Sequence, residues 1–322
     1  VIWVDITNLP HVLFFQDFIA RRRAFVTARR HSALTGLLDE RGIDYLPVGR
    51  HGGSDPRQKL LESARRVGGL ARALPEGVRI GVAKHSVELP RVAFGLGIPC
   101  LLVVDNEYAE HQNRLTLPLC TRVLVPRALD HRLLLEQGAE KARIARFNGL
   151  CELAHLRGFT PSPPGIEDDY ILVRPEPVQA AYFREEDRAQ ELINALAGEG
   201  HNVVVLPRAG RRYRNAVVPA TRDSLSLIYH ARVFVGGGGT MNRESALLGT
   251  PAVSYYPQQP LGVDRYLIRK GLLARARIEE VPALVEELAA KKHILRRKAG
   301  RLRQSLEDPI QALERELGDL VI

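Results

Sequence analysis

Cysteine is scarce: three in 322 residues, Cys100, Cys120 and Cys151, with no CxxC spacing among them. That points away from a disulfide framework or a zinc finger and toward reduced, structural thiols in a cytoplasmic protein. No apolar run approaches the length of a membrane span. The opening Val1-Ile2-Trp3-Val4-Asp5 has no basic n-region and reads as a first strand, not a signal peptide. There is no low-complexity tract and no internal repeat visible residue by residue. Acidic residues are in deficit, 37 against 46 Lys and Arg, for a net charge of +9. Such an excess admits nucleic acid, an anionic membrane surface or anionic small substrates as partners. No RNA-binding aromatic motif or helix-turn-helix signature accompanies it, which sets sequence-specific nucleic-acid binding aside. The runs Arg21–Arg23, Arg65-Arg66 and Arg296-Arg297 with Arg301 and Arg303 read as solvated basic faces, open to peripheral membrane contact.

Apolar content of 45% and charged content of 26% suit a globular chain of one large or two medium domains. Short strands, apolar on both faces, alternate with helical patterns, as parallel sheets covered by helices require. In the first half the strands are Val1–Ile6, Ala24–Thr27, Ile43–Val48, Val78–Val82, Cys100–Val104, Val123–Val125 and Ile144–Phe147. Residues 57–74 and 127–137 carry helical spacing. A Pro- and Ser-rich stretch, Asn148–Gly165, reads as a linker. The alternation restarts at Tyr170–Val173, Val203–Leu206, Ala216–Val218, Val233–Val235, Ala252–Tyr255 and Ala274–Ile278, and helices close the chain from about Val281 to Leu320. The expectation is α/β: Rossmann-like domains over residues 1–150 and 151–322, with an interdomain cleft and the final helices packing back on the first domain. Two crossovers look short, nine residues between Phe15 and Phe25 and RAGRRYR after Leu206, where about a dozen are usual. The spacing predicts that the natural chain carries further loop residues near 20–24 and 208–214.

The densest signal is VFVGGGGTMNRESALLGTPAVSYYP, residues 233–257: strand, four glycines, helix, strand. Gly236, Gly237, Gly238 and Gly239 let backbone approach a ligand, and the helix start behind them offers N–H groups and a positive dipole end, an anion site. Thr240 reads as the N-cap. Glu244, placed in the first turn, reads either as a dipole partner or as an acceptor for a ribose diol beside a phosphate. No Lys-Ser/Thr follows the glycines and the loop is not GxGxxG, which argues against P-loop NTPases and dinucleotide enzymes. Arg174, at the end of the strand Tyr170–Val173, suits a diphosphate through its permanent charge and fork geometry. Arg208 is a weaker version of the same argument, and Asp264-Arg265-Tyr266 opens a helix that could close over the cleft.

In the first half, polar groups at strand carboxyl ends face the expected ligand crevice. Asp5, Asn8 and His11 follow the first strand, with His11 read as a general base or a helix cap. His85 follows the fourth. Asp105 and Glu107, with His111, follow the fifth, as acid–base groups or as a carboxylate pair for a divalent ion.

GGGGTMNRESALLGTPAVSYYP and VDRYLIRKGL resemble the uncharacterised family DUF354 over nearly the whole chain. The two-domain pattern is similar to the GT-B fold of nucleotide-sugar glycosyltransferases and UDP-N-acetylglucosamine 2-epimerases. VRPEP resembles the epimerase histidine–arginine–x–glutamate–asparagine motif, with Val173 and Pro177 replacing its histidine and asparagine. That resemblance implies a UDP-phosphate contact for Arg174. NRESA resembles the epimerase EEA segment, which implies a uridine-ribose contact for Glu244. Asn106-Glu107-Tyr108-Ala109 is similar to its VEAG segment and Asn113-Arg114 to its NR pair. The activity implied is transfer from a nucleotide sugar, most simply a UDP-sugar, to an unidentified acceptor. Glu107, His111 or His11 would be the base; Asp5, Asn8, His85 and Asp105 would bind substrate; and no metal or other cofactor would be required. Alternatives are an epimerase or hydrolase on the same ligand, or a non-catalytic nucleotide-sugar-binding protein, with a homodimer as the assembly to test.

Overall fold

The chain divides into two units, Val1–His155 with Glu307–Ile322, and Leu156–Leu306. The structure, a computed structural model, describes residues 1–53, 55–167, 169–177, 188–208, 210–221 and 223–321.

In the first unit, β1 (Ile2–Ile6), β2 (Ala24–Arg30), β3 (Leu46–Arg50), β4 (Ile80–Lys84), β5 (Cys100–Val103), β6 (Arg122–Pro126) and β7 (Ile144–Phe147) form one parallel sheet. Its order is β3-β2-β1-β4-β5-β6-β7. The order reverses between β1 and β4, where Asp5 lies opposite Ala83. A doubly wound sheet opens its ligand crevice beyond such a reversal. The helix Leu9–Arg21 is held by its buried face of Val12, Phe14, Phe15 and Phe18, on which the helix Pro309–Val321 closes with Ile310, Leu313 and Leu317.

The second unit's sheet is β12-β11-β10-β8-β9, all parallel, from β8 (Ile171–Arg174), β9 (Val203–Val205), β10 (Val233–Gly236), β11 (Ala252–Ser254) and β12 (Ala274–Arg275). Its reversal falls between β8 and β10, where Arg174 is the register partner of Gly236. The two residues that the sequence singles out for a diphosphate therefore lie side by side at the end of adjacent strands.

Several details differ from the sequence reading. The crossover from β1 to β2 is complete: its helix starts at Leu9, ahead of Phe15, and Arg22 and Arg23 suffice to turn into β2. The second short connection includes residue 209, which lies outside the described residues. Beyond it Ala216–Val218 is not a strand; Val217 makes one parallel bridge to Val204 at the sheet edge. β3 begins at Leu46, not Ile43, and bulges: Ala28 faces Pro47 but Arg30 faces Arg50. The linker stretch opens as a buried 3-10 turn, Cys151–Leu153. Arg65-Arg66 is not a solvated pair, because Arg66 is 1% exposed. Arg296 is likewise tied down, stacking 4.1 Å over the Tyr229 ring and donating to the Tyr229 carbonyl at 2.7 Å.

The helix Thr240–Leu248 ends on Gly249 at φ +74°, and a Cβ there would collide with the Arg296 backbone. Gly249→Ala should therefore cost more than the roughly 1–2 kcal/mol of left-handed backbone strain alone. Urea unfolding with an unchanged midpoint would contradict that.

Candidate functional site

In the second unit protein side chains crowd each of the four glycines. A Cβ on Gly236 would strike the Asn242 amide, one on Gly237 would lie 2.7 Å from Glu176 Cγ, and one on Gly239 would lie 2.7 Å from Arg243 Nη1. Asn242 donates to the carbonyls of Gly236 and Gly238, fixing the loop's curvature from inside the helix that follows. Glu176 is held beneath the loop by the Tyr255 hydroxyl, which donates to it at 2.8 Å. The Gly237 N–H is spent on the Arg174 carbonyl. Among the described residues, the N–H groups of Gly238, Gly239 and Thr240 have no protein acceptor. Three adjacent open donors at a helix start are what an anionic oxygen needs.

The helix starts one residue earlier than the sequence suggests. Gly239 is the cap and makes no side-chain cap bond, so Thr240 is the first helical residue and not the N-cap. Glu244 consequently lies beyond the first turn, and it is 3% exposed. A dipole partner works within the first turn, so that reading of Glu244 loses its geometry.

Arg174 donates through Nη1 to the carbonyls of Leu206 and Pro207 at 2.9 and 3.0 Å, and its buried Nε has no partner. Burial, with the nearby Arg208 adding to it, pushes the guanidinium pKa down to about 9, while Glu244 acts in the opposite sense. Arg208 is anchored by the Pro175 carbonyl at 2.8 Å, and its Nη2 would meet a Cβ on Gly238 at 3.0 Å. Arg243, 4% exposed, is paired with Asp264 at 3.0 Å, and Asp264 also caps its own helix through the Leu261 N–H. Three arginines thus surround the glycine loop. Arg243 and Asn242 were missed in the sequence because they sit inside a segment read for its glycines. A wider cavity of about 560 Å³ lies nearby, lined by Glu176, Tyr255, Tyr256, Arg275 and Ile278 among others.

In the first unit the reversal point carries a buried charged cluster. Lys84, the last residue of β4, pairs with Asp105 at 2.5 Å, and His85 Nε2 lies 3.0 Å from the same carboxylate. Burial works against the Lys84 ammonium, but Asp105 and the nearby Glu152 more than offset it, and its pKa is raised. His85 sits at φ +47°, one of two non-glycine residues in the left-handed region among those described. Such strain persists where surrounding structure enforces it and clusters at functional sites. Here the Asp105 N–H donates to His85 Nε2 at 2.9 Å. A neutral ring accepts that bond, and a protonated ring can donate to the carboxylate instead. The sequence signal for Lys84 was a lysine ending an otherwise apolar strand.

His11 is buried and receives the Thr7 N–H on Nδ1 at 3.4 Å. Burial first, then the charges of Lys84 and His85, holds its pKa well below 6.5. The Thr7 hydroxyl lies 3.3 Å from the same Nδ1, so both polar groups of Thr7 fix the ring's orientation. Glu107 is fully buried, whereas His111 is exposed on the next helix. The loop between them is braced by Asn113 and Gln137, which bond each other at 2.7 Å and donate to the carbonyls of Asn106 and Glu107. Asp105 is engaged with Lys84 and His85. Among the described residues no group of three His, Cys, Asp or Glu side chains is arranged to hold a metal ion.

Asp5 does not face a ligand. It is fully buried, with Arg66 at 2.6 and 3.0 Å, Ser86 Oγ at 2.6 Å and Thr27 Oγ1 at 2.6 Å donating to its two oxygens. Asn8 is exposed and accepts from Arg29 at 2.9 Å.

Two parallel Rossmann-like sheets, each with polar groups gathered where its strand order reverses, define a GT-B-type α/β protein. Solved structures agree on the fold. UDP-GlcNAc 2-epimerase from Methanocaldococcus jannaschii, in complex with UDP-GlcNAc and UDP, superposes with a TM-score of 0.69 at 14% identity, covering 89% of this chain and 92% of that one. A putative UDP-N-acetylglucosamine 2-epimerase from Listeria monocytogenes gives 0.68 at 14% identity, covering 93% and 90%. The glycotransferase of kitacinnamycin gives 0.61 at 16% identity, covering 100% and 99%. The chain belongs to the family described as "Protein of unknown function (DUF354)", whose model matches residues 1–315. A relative described as "Uncharacterized protein MJ0665", also from Methanocaldococcus jannaschii, is 40% identical over 317 residues, covering 90% of this chain and 92% of its own length.

Proposed function

We propose that the protein is a nucleotide-sugar-dependent glycosyltransferase of GT-B type, whose second unit binds the nucleoside diphosphate. The observation that carries this is the meeting of Arg174 with the open N–H groups of Gly238, Gly239 and Thr240 at the β8–β10 reversal. The diphosphate lies on those donors, Arg174 and Arg208 balance the charge that grows on it as the sugar leaves, and Glu244 accepts from the ribose diol. Charge stabilisation by fixed donors and arginine meets the demand of a departing diphosphate without a metal. A UDP-sugar is the proposed donor; the names of the M. jannaschii and other epimerase structures, which mention UDP-GlcNAc, support that choice.

The first unit serves the acceptor. The Lys84–Asp105–His85 cluster supplies its proton chemistry, with the His85 ring and the Lys84 ammonium both set against the Asp105 carboxylate. The same cluster supports a second reading, an epimerase or hydrolase on the same ligand, because removing a sugar C–H proton or activating water also needs a buried acid–base pair.

A thermal-shift panel of nucleotides and nucleotide sugars tests the proposal. A true ligand at about 100 times its dissociation constant adds roughly 2.7 kcal/mol of stability. Uridine nucleotides should raise the melting temperature and free uridine should not. A panel in which no nucleoside diphosphate stabilises the protein would remove the reading. Release of UDP or an altered sugar over hours separates an enzyme from a protein that only binds.

A further inference from the structure

The helix Pro56–Ala73 has its polarity reversed. Its buried residues, Glu62, Arg66 and Leu70, recur once per turn, and Ser63 beside them donates to Glu88 at 2.8 Å. Glu62 is held there by Arg50 at 3.1 Å and Arg65 at 2.6 Å. Outward the helix turns Leu60, Leu61, Ala64, Gly68 and Ala71, whose spacings of three, four and seven put them on one face. Leu60 is 68% exposed. A single exposed leucine is ordinary. A helix that encloses a carboxylate and a guanidinium and leaves adjacent leucines in water presents a surface suited to a partner.

The apolar face continues on the next helix. Ser63 and Arg66 both bond Glu88, so the helix Glu88–Gly95 starts against the middle of Pro56–Ala73. Each helix runs back antiparallel to the strand it follows in a parallel sheet, so the two run the same way. Phe94, six residues past Glu88, comes level with the last turns of the longer helix. It is 62% exposed, and Leu96 just beyond it is exposed as well. The flank of Pro56–Ala73 that turns toward this neighbour is the one carrying Ser63, and Leu60, Val67 and Ala71 share it by their spacing.

The rim of this face is basic. Arg57 stands one turn before Leu61, Arg72 one turn after Gly68, and Arg91 one turn before Phe94. Among the described residues none of these three arginines is in an ion pair. The Arg72 guanidinium lies back along the helix, 3.8 Å from where a Cβ on Gly68 would be. Acidic groups are kept off the face. Between Asp55 and Glu110 they are Glu62, Glu76, Glu88, Asp105 and Glu107, and only Glu76 is exposed.

Leucine and phenylalanine at the centre of a helical face, with arginine at its edges, are the pattern of a segment lying in a bilayer interface. The apolar side chains reach the acyl boundary and the cations meet anionic headgroups. We propose that the outer faces of the helices Pro56–Ala73 and Glu88–Gly95 dock the first unit on an anionic lipid bilayer. Leu60, Leu61, Phe94 and Leu96 enter the headgroup layer, and Arg57, Arg72 and Arg91 lie on lipid phosphates. A second copy of the chain suits the face less well. A two-fold contact sets the same patch on both sides and brings these arginines against their own copies. The proposal does not rest on the glycosyltransferase reading.

Flotation of the full chain with phosphatidylcholine vesicles, with and without phosphatidylglycerol, tests it. The protein should bind the anionic vesicles about tenfold or more tightly than the neutral ones, and salt should weaken that preference. Leu61→Ser combined with Phe94→Ser should lower the affinity about tenfold or more at an unchanged melting temperature, because both side chains are exposed. Arg72→Glu should weaken binding to the anionic vesicles alone. Arg297→Glu with Arg301→Glu, on the basic helix Lys292–Ser305, should change it little.

Phe94→Trp gives a direct readout. The natural chain has one tryptophan, Trp3, and it is fully buried, so a change in emission reports on position 94. Anionic vesicles should shift the emission to the blue, and lipids brominated in the acyl chain should quench it. An emission that anionic vesicles leave unmoved would overturn the proposal, as would equal flotation by the wild type and the Leu61→Ser, Phe94→Ser variant. A wild type that does not float but self-associates, and that the same double substitution makes monomeric, would assign the face to a second copy and overturn it too.

Discussion

Arg66→Met should remove about 3–5 kcal/mol of folding stability, the usual cost of breaking a buried ion pair from one side. Arg66 bonds both oxygens of Asp5, one oxygen of Glu88 at 3.0 Å and the Val48 carbonyl at 2.9 Å, tying the helix Pro56–Ala73 to β1, β3 and the start of the helix Glu88–Gly95. Methionine fills the volume but leaves two buried carboxylates without the cation that bonds them. Against a typical total of about 5–15 kcal/mol, that loss brings the variant near unfolding at room temperature. Adding Asp5→Asn should recover part of it, because the stranded charge is gone.

Acid gives an independent check, because the two proteins should respond to it differently. In the wild type burial alone would raise the Asp5 pKa, but the charge of Arg66 and bonds from Arg66, Ser86 and Thr27 outweigh it, and the pKa is lowered from 3.8. A depressed carboxylate contributes stability that is complete above its ordinary value and is lost as pH falls through the folded value. Wild-type stability should therefore hold down to about pH 4 and decline only below it. In Arg66→Met the same carboxyl is buried without its cation, its pKa rises, and mild acid should stabilise the variant. Urea midpoints of the variant that stay flat or fall between neutral pH and about pH 5, where the wild type should hold steady, would contradict this account of the core.

The second large effect concerns ligand affinity. Glu244→Gln should weaken UDP by about tenfold to a hundredfold, the equivalent of roughly 1.5–3 kcal/mol for charge-assisted hydrogen bonds to a ribose diol. Glu244 lies past the first turn of its helix, so the melting temperature should hardly respond to lost dipole stabilisation. The 2′-deoxy nucleotide should bind the wild type weakly and lose little more in the mutant. Arg174→Lys is the companion. Lysine keeps the charge but cannot bond the Leu206 and Pro207 carbonyls and a phosphate together, so diphosphates should weaken more than the bare nucleoside. If Glu244→Gln binds UDP as tightly as the wild type, the ribose role is withdrawn.

Much of the fold was legible because parallel strands announce themselves. VFVG, ILVR and CLLV are apolar on both faces, and turn residues separate them from helical patterns. The glycine loop and Arg174 were legible for the same reason: each follows such a strand. What stayed hidden depends on contacts between residues far apart in the chain. Arg66 looks like half of a surface Arg-Arg pair until Asp5, sixty-one residues earlier, is seen to hold it. Lys84 reads as the polar end of a strand until Asp105 is brought beside it by the pairing of β4 with β5. Asp5 itself was misplaced by a sound rule, since strand-end polar groups usually face the crevice. It lies one residue before the end of β1 and points into the core, where Thr27 relays it to the indole of Trp3. Thr240 was displaced by one residue because a glycine can cap a helix as well as a threonine can, and sequence does not choose between them.

Amide hydrogen exchange with and without saturating UDP tests the central claim most directly, since it reports where a nucleotide binds without assuming an activity. The account predicts slowed exchange at Gly238, Gly239 and Thr240, whose N–H groups have no protein acceptor among the described residues. Protection should spread along the helix Thr240–Leu248 and the end of β8, and be lost in Arg174→Gln. Unchanged exchange across residues 236–248 at saturating UDP, or protection confined to other segments, would contradict it.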